Sequence, residues 1–217
     1  MGSVRSLSIF ASLLLVGCSS SSGGSDTTTP TFRGSVSYVD ATPAAGGVVG
    51  SMLVEGPVDA AYAIDRIGLT IMVDTRFTID GEKLDGAAGI ARIAPGDLVE
   101  GYVTGPVAES YPVQGSASSI QLVEAMTWNS ACVADADCRL VDTTYGWGCC
   151  SIGACRTIDY AEERWIAVNG AWFDRMRGER CPTAEQCGPA PACPDQIVGA
   201  PHEAVCVAGA CVKRLAQ

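Results

Sequence analysis

Cysteine is confined to one part of this chain once its first residues are set aside. Ten of the eleven cysteines lie between Ser130 and Gln217, and none lies between Thr31 and Asn129. Ten cysteines in 88 residues exceed the density that marks a disulfide scaffold. Small exported domains use disulfide bonds to compensate for a limited hydrophobic core. The pattern predicts a cysteine-free domain over residues 31–125 and a disulfide-stapled domain over residues 126–217.

The cysteines of the second domain are even in number, which favours five disulfide bonds in an oxidising compartment. They are Cys132, Cys138, Cys149, Cys150, Cys155, Cys181, Cys187, Cys193, Cys206 and Cys211. The sequence leaves their pairing open, except that the adjacent Cys149 and Cys150 should bond to different partners. A zinc site is the alternative, but no two cysteines have the C-x-x-C spacing and His202 is the only histidine. We therefore expect neither a metal nor a cofactor.

The first residues predict export. Arg5 is followed by an apolar run from Leu7 to Val16. This run is shorter than the roughly 20 residues that span a bilayer, and it fits the hydrophobic region of a signal peptide. The run ends in the sequence LVGC, with Cys18 last, which resembles the bacterial lipobox. The resemblance implies that residues 1–17 are a signal peptide and that Cys18 carries lipid.

A lipid anchor on Cys18 sets the location that we expect. The resemblance implies diacylglyceryl transfer to the sulfur and acylation of the new amino group, and several acyl chains hold a protein firmly. Ser19 stands where an aspartate would favour the inner membrane, so we expect the outer membrane. Residues 18–30 are rich in serine and glycine and are predicted to form a flexible tether. For the apolar run and Cys18, the alternative to a lipoprotein signal is a short buried helix with an isolated cysteine.

The chain is acidic, with 24 Asp and Glu residues against 14 Lys and Arg residues and a formal net charge of −10. An acidic surface repels phosphate backbones, which argues against nucleic-acid binding. It also opposes binding to anionic lipid beyond the anchor itself. The expected partners are the membrane, reached through Cys18, and an envelope or extracellular protein.

Hydrophobic alternation predicts strands in the first domain. The clearest runs from Ile67 to Val73, where every second residue is apolar and branched. Shorter runs are Phe32–Val39, Ser51–Val54, Arg76–Ile79, Leu98–Thr104 and Ser118–Glu124. Short strands separated by glycine and proline turns are typical of a small β-barrel or sandwich. The stretch from Asp80 to Gly89 is expected to be a loop.

The segment from Gly101 to Gln114 contains the run GPVAESYP and follows the sequence PGDLVE. It resembles the YobA-like family, a group of small secreted or lipid-anchored bacterial domains of unknown function. The similar parts run from about residue 34 to residue 123, and the stretch from Asp80 to Gly89 departs from the family pattern. The resemblance implies an OB-like β-barrel and supplies no activity.

Glu109 and Tyr111 are candidate partner-binding residues within that run. Polar and aromatic side chains at the mouth of a barrel can contact a ligand. The favoured alternative is structural, with Tyr111 packed over the barrel end and Glu109 or Ser110 hydrogen-bonded to the loop backbone.

One amphipathic helix is predicted in the second domain, which makes that domain α+β. Asp159 can cap it with Glu162 as the capping-box partner, and Gly178 can end it. Its apolar stripe comprises Ala161, Trp165, Val168, Trp172 and Met176. Trp165 and Trp172 are candidate partner-binding residues, although packing against the disulfide core is favoured.

The spacing of Cys132, Cys138, the pair Cys149-Cys150 and Cys155 is similar to part of the whey acidic protein four-disulfide core. Members of that family often inhibit serine proteases by presenting a rigid loop, so the resemblance implies an inhibitor. It covers residues 132–155 only, and the gap between Cys138 and Cys149 is longer than the family's.

Motifs that would indicate catalysis are absent from the sequence. There is no nucleophile elbow, phosphate loop, dinucleotide-binding glycine pattern or paired-histidine zinc motif. We therefore expect a mainly β, non-enzymatic, lipid-anchored envelope protein that acts as an interaction or structural module. One alternative is a protease inhibitor built on the cysteine-rich domain. The other is a carboxylate-pair hydrolase, because a linear sequence does not show which acids meet.

Overall fold

The computed structural model describes residues 29–57, 59, 61–108, 110, 112–143, 149–150, 157–187 and 196–217. The predicted signal peptide and the predictions for Cys18, Glu109, Tyr111, Cys155 and Cys193 lie outside these residues. The described chain is mainly β, as the sequence predicts.

Thirteen strands and three α-helices lie within the described residues. The strands are β1 Phe32–Asp40, β2 Val48–Glu55, β3 Arg66–Met72, β4 Arg76–Ile79, β5 Glu82–Leu84, β6 Leu98–Ala108, β7 Val113–Glu124, β8 Cys138–Asp142, β9 Thr157–Asp159, β10 Trp165–Asn169, β11 Gln196–Val198, β12 His202–Val207 and β13 Ala210–Leu215. The helices are α1 Gly86–Ile90, α2 Gly170–Arg180 and α3 Ala184–Cys187.

The first seven strands form one sheet in the order β3-β2-β1-β6-β7-β4-β5. β3 also pairs in parallel with β7, with Ile67 opposite Val113. The strands β3, β2, β1, β6 and β7 therefore form a closed circuit of hydrogen-bonded neighbours. Because side chains alternate along a strand, every second residue faces the core. The core includes Phe32, Val36, Met52, Val54, Ile67, Leu69, Ile71, Phe77, Val99 and Ile120.

Each predicted strand of the first half is present, but the Asp80–Gly89 loop prediction is wrong. That stretch contains β5 and α1. Asp80 and Gly81 have φ values of 52° and 80°, and positive φ at both positions is what a two-residue hairpin turn between β4 and β5 requires. Asp85 then accepts the N–H of Ala88 at 2.9 Å and caps α1. Short-range turn and cap chemistry therefore gives this stretch its order.

The second half consists of three two-stranded sheets and two helices within the described residues. β8 pairs with β10 and β12 with β13, both antiparallel, whereas β9 and β11 are parallel. Val141 and Val168 from the strands pack with Trp172 and Phe173 of α2 in a second core. None of the helices in the described residues has the length and hydropathy that crossing a bilayer requires.

Four disulfide bonds join elements of the second half among the residues that the structure describes. They are Cys132–Cys206, Cys138–Cys211, Cys149–Cys181 and Cys150–Cys187. The adjacent Cys149 and Cys150 bond to different partners, as predicted. The sulfurs of Cys132, Cys138 and Cys211 lie within 4.8 Å of one another because two disulfides are neighbours. A metal is bound by thiolates, and these three sulfurs are already in disulfide bonds.

The helix prediction is right for α2 and wrong for the residues before it. Trp165 and Val168 lie in β10, which pairs with β8, so they do not share a helical stripe with Trp172. Aromatic and β-branched residues favour a strand when a partner strand is present. Asp159 ends β9 and accepts the N–H of Ala161 in a turn. The helix is capped instead by Asn169, and it continues past Gly178 to Arg180.

Candidate functional site

A groove of about 630 Å³ opens where the segment after β7 meets helix α2. Trp172 is buried, Trp128 and Met176 are half-buried, and Glu124 and Thr127 are exposed. The groove therefore has an apolar base and a polar rim. The rings of Trp128 and Trp172 meet edge to face, with centroids 6.0 Å apart and planes at 64°, an arrangement that aromatic pairs prefer.

Asn169 holds the two sides of the groove together. Its side-chain oxygen accepts the backbone N–H of Trp172 at 2.8 Å and caps α2. Its side-chain nitrogen donates to the carbonyl of Ala131 at 2.8 Å. Its backbone N–H donates to the carbonyl of Asn129 at 2.7 Å. One residue thus fixes the start of α2 against the segment that carries Trp128.

Arg180, the last residue of α2, reaches back to the first half of the chain. It is buried and donates from Nη1 to the carbonyl of Gly96 at 3.0 Å. Its Nη2 contacts the carboxylate of Glu124 at the end of β7. A buried guanidinium needs several acceptors, and the turn at Gly96 together with Glu124 supplies them.

Asp97 lies beside this contact and orders the segment that follows β7. Its carboxylate accepts the N–H of Met126 at 2.7 Å and the N–H of Ala94 at 2.8 Å. Burial raises the pKa of Asp97, and these two hydrogen bonds and the charge of Arg180 oppose the rise. Arg180 thus pairs with the carboxylate of Glu124 and also acts electrostatically on that of Asp97.

The structure separates the two tryptophans that the sequence singles out. Trp172 lines the groove, whereas Trp165 packs against Tyr160 with ring centroids 4.8 Å apart and lies outside it. Trp128 lines the groove without a comparable sequence signal, because it lies at the start of the predicted second domain, before its first cysteine, and outside any periodic run. Its one signal is its residue type, a tryptophan in a connecting segment.

Val133 is the most exposed large apolar residue among those described, at 95%. It follows Cys132 in a loop that ends at Cys138, and both cysteines are in disulfides. The carboxylate of Asp137 accepts the N–H groups of Val133 and Ala134 at 2.7 and 2.9 Å. These hydrogen bonds hold the pKa of Asp137 below its ordinary value. The loop is therefore fixed, with two of its backbone donors used internally.

The described residues that line the groove include few groups that could act as acids, bases or nucleophiles. Among the described residues that line it, Glu124 is the one carboxylate, and Arg180 contacts it. A glycosidase needs two carboxyl groups across the scissile bond, and a nucleophilic hydroxyl needs a neighbouring base. The described lining residues include no histidine, lysine or cysteine to act as that base.

The fold and the groove define a class of molecule, a mainly β chain whose disulfide-bonded second half builds a groove together with the end of its first sheet. No protein-family model, curated protein or solved structure matches this chain.

Proposed function

We propose that this chain is an exported, lipid-anchored protein of the bacterial cell envelope that binds a protein partner and catalyses no reaction. The groove beside α2 is the observation that carries the proposal. It brings together Trp128, Trp172, Met176 and Arg180, and tryptophan, methionine and arginine are enriched at protein interfaces. An apolar centre within a polar rim is also the anatomy of such interfaces.

Export and anchoring are supported by covalent chemistry. Four disulfide bonds persist in an oxidising compartment and are rare in a reducing one. The sequence LVGC ending at Cys18 supports lipidation, and Ser19 supports the outer membrane. A Ser/Gly-rich tether over residues 18–30 would let the folded part move away from the lipid surface.

The number of strands in the closed circuit supports a relationship of the first half to the YobA-like family. The OB-like barrel that this kinship implies is a five-stranded, partly open structure. The closed circuit of β3, β2, β1, β6 and β7 has that number of strands. The kinship supplies no activity, so the groove carries the function.

Protease inhibition is a second candidate, favoured by the exposure of Val133 on a loop fixed by two disulfides. Against it, the N–H groups of Val133 and Ala134 are bonded to Asp137 and are not available to pair with a protease strand. Assay of the oxidised full-length chain against a panel of serine proteases tests it. Tight inhibition that Val133→Asp abolishes would support it, and no inhibition across the panel would refute it.

Photocrosslinking in intact cells tests the interaction proposal. A photoreactive amino acid replaces Thr127 on the exposed rim or, as a matched control, the exposed Lys83 of β5. We expect a discrete protein adduct from position 127, none of that mass from position 83, and loss of the adduct when Trp128→Ala is added. Adducts of equal strength from both positions, or none from position 127, would refute the groove as the binding surface.

Intact mass measurement of the membrane-extracted protein tests the anchor. We expect the mass of residues 18–217 plus diacylglyceryl and acyl groups, and an unprocessed, unlipidated chain for Cys18→Ala. A wild-type mass without lipid would refute the anchor.

A further inference from the structure

We infer that the groove binds a cationic segment of its partner, an extended peptide in which one bulky apolar side chain is flanked by lysine or arginine. The inference rests on the proposed function, because it names the chemistry of the partner for the same groove. It follows from the different exposure of the two charged side chains at the groove end, Glu124 and Arg180.

The negative member of the main ion pair faces solvent and the positive member does not. The side chain of Arg180 is 7% exposed, whereas that of Glu124 is 60% exposed. Asp97 is buried and lies outside the lining, so Glu124 is the carboxylate that a ligand can contact directly. The side chains of Glu124 and Arg180 both line the groove, so a ligand at its rim meets mainly the exposed carboxylate of Glu124, because Arg180 is mostly buried.

The charge of the whole chain acts in the same direction. A formal net charge of −10 attracts cations and steers them towards the surface, and it repels acidic partners. Charge complementarity between a cationic segment and the exposed carboxylate of Glu124 would orient the peptide along the rim.

The apolar base defines the remainder of the ligand. Trp172, Met176 and Trp128 line a space of about 630 Å³, which is within the range that holds a bulky side chain with its neighbouring backbone. Burying one such side chain is favourable because it removes apolar surface from water. The apolar residue supplies most of the affinity, and its cationic neighbours supply the selectivity.

The tryptophans favour a peptide over a glycan. A sugar ring stacks on a broad exposed aromatic face, but Trp172 is only 8% exposed and Trp128 is half-buried. Their rings also meet edge to face, so they form a cleft for a side chain more than a flat platform.

Three synthetic peptides test the inference on the full chain. Each has a central phenylalanine, flanked on both sides by two lysines, two serines or two glutamates. Binding is followed through the indole N–H resonance of Trp128. We expect the lysine peptide to bind about fivefold more tightly than the serine peptide, a difference of about 1 kcal/mol that corresponds to one favourable exposed ion pair. The glutamate peptide should bind least. At about 1 M salt, where the Debye length is about 3 Å, the preference should disappear.

Two rim variants move the preference in opposite directions. Glu124→Gln should bring the lysine-to-serine ratio close to one, and Thr127→Glu should raise it. Glu82→Gln removes a carboxylate outside the groove and should leave the ratio unchanged. If Glu124→Gln does not fold, Thr127→Glu on the exposed rim still tests the inference, because an unchanged lysine-to-serine ratio in that variant would contradict it.

The outcomes separate this inference from the proposed function. Equal binding of the three peptides, or preference for the glutamate peptide, would refute a cationic ligand but not the proposal that the groove binds a protein. Chitohexaose shifting the Trp128 resonance when no peptide does would overturn the peptide class in favour of a glycan. If neither ligand shifts Trp128 and position 127 yields no adduct, both proposals fall.

Discussion

The carboxylate of Glu55 accepts the backbone N–H of Cys149 at 3.0 Å across a sequence separation of 94 residues. Glu55 ends β2 and has no exposed surface. Its other oxygen lies 2.7 Å from Nε of Arg66, and the hydroxyl of Ser37 also donates to the carboxylate. A buried charge is tolerated only when it is paired and hydrogen-bonded. The first half of the chain therefore depends on backbone N–H groups of Cys149 and Cys150 in the second half to satisfy its buried acid.

Glu55→Ala should lower the free energy of unfolding by about 3–5 kcal/mol, because it removes the carboxylate that pairs with the buried Arg66 and the nearer acceptor of the Cys149 N–H. Urea unfolding followed by circular dichroism measures the change. Glu82→Ala is the matched control, since Glu82 also pairs with an arginine, Arg92, but is 60% exposed. That variant should cost less than about 1 kcal/mol. Similar small losses in both variants would show that the buried carboxylate does not hold the halves together.

This contact also marks the limit of what the sequence could predict. The strand over Ile67–Val73 was predictable because a buried face imposes a two-residue period on its own residues. The carboxylate of Glu55 accepts hydrogen bonds from backbone N–H groups, which every non-proline residue has. No side-chain pattern near Cys149 therefore predicts the contact. Its burial depends on the packing of two halves, and single-chain periodicity carries no information about that packing.

The wrong helix start has a similar cause. Trp165 and Val168 fall at helical spacing from Trp172, so periodicity alone extends the helix backwards. The competing signal is the run Trp-Ile-Ala-Val, which suits a strand once β8 lies beside it. Trp128, the other tryptophan of the candidate groove, could not be predicted because its partner Trp172 becomes its neighbour only when Asn169 joins α2 to the connecting segment.

A fifth disulfide can be predicted by combining the even number of cysteines in the second half with the four bonds among the described residues. Eight of the ten cysteines of the second half are paired, so five bonds require Cys155 to join Cys193. Each lies within three residues of the parallel pair Thr157 and Gln196. Peptide mapping of the unreduced protein should recover the Cys155–Cys193 cross-link and no alkylated thiol in the second half. A free thiol at either position would contradict five bonds.

Gly89 and Gly178 form a natural pair for testing packing inside helices. A Cβ at Gly89 in α1 would overlap the ring of Phe77, which is fully buried, whereas nothing lies within 4 Å of a Cβ at Gly178 in α2. Glycine to alanine in a helix interior normally stabilises by about 0.5–1 kcal/mol. We expect that gain for Gly178→Ala and a loss of about 1–3 kcal/mol from overpacking for Gly89→Ala. Thermal unfolding measures both, and changes of the same sign would contradict the prediction.

Asp97 should make stability depend on pH in a defined direction. Burial raises the pKa of its carboxyl above the ordinary value of 3.8, so the folded chain binds that proton more tightly than the unfolded chain. The resulting stabilisation is complete below pH 3.8 and is lost as the pH rises through the folded-state pKa. Asp97→Asn does not titrate, and its single carbonyl oxygen replaces two acceptors for Met126 and Ala94. We therefore expect the advantage of the wild type over Asp97→Asn, measured by urea unfolding from about pH 3 to pH 7, to be largest in acid and to narrow as the pH rises. An advantage that grows with pH would mean that the hydrogen bonds and Arg180 outweigh burial at this carboxyl.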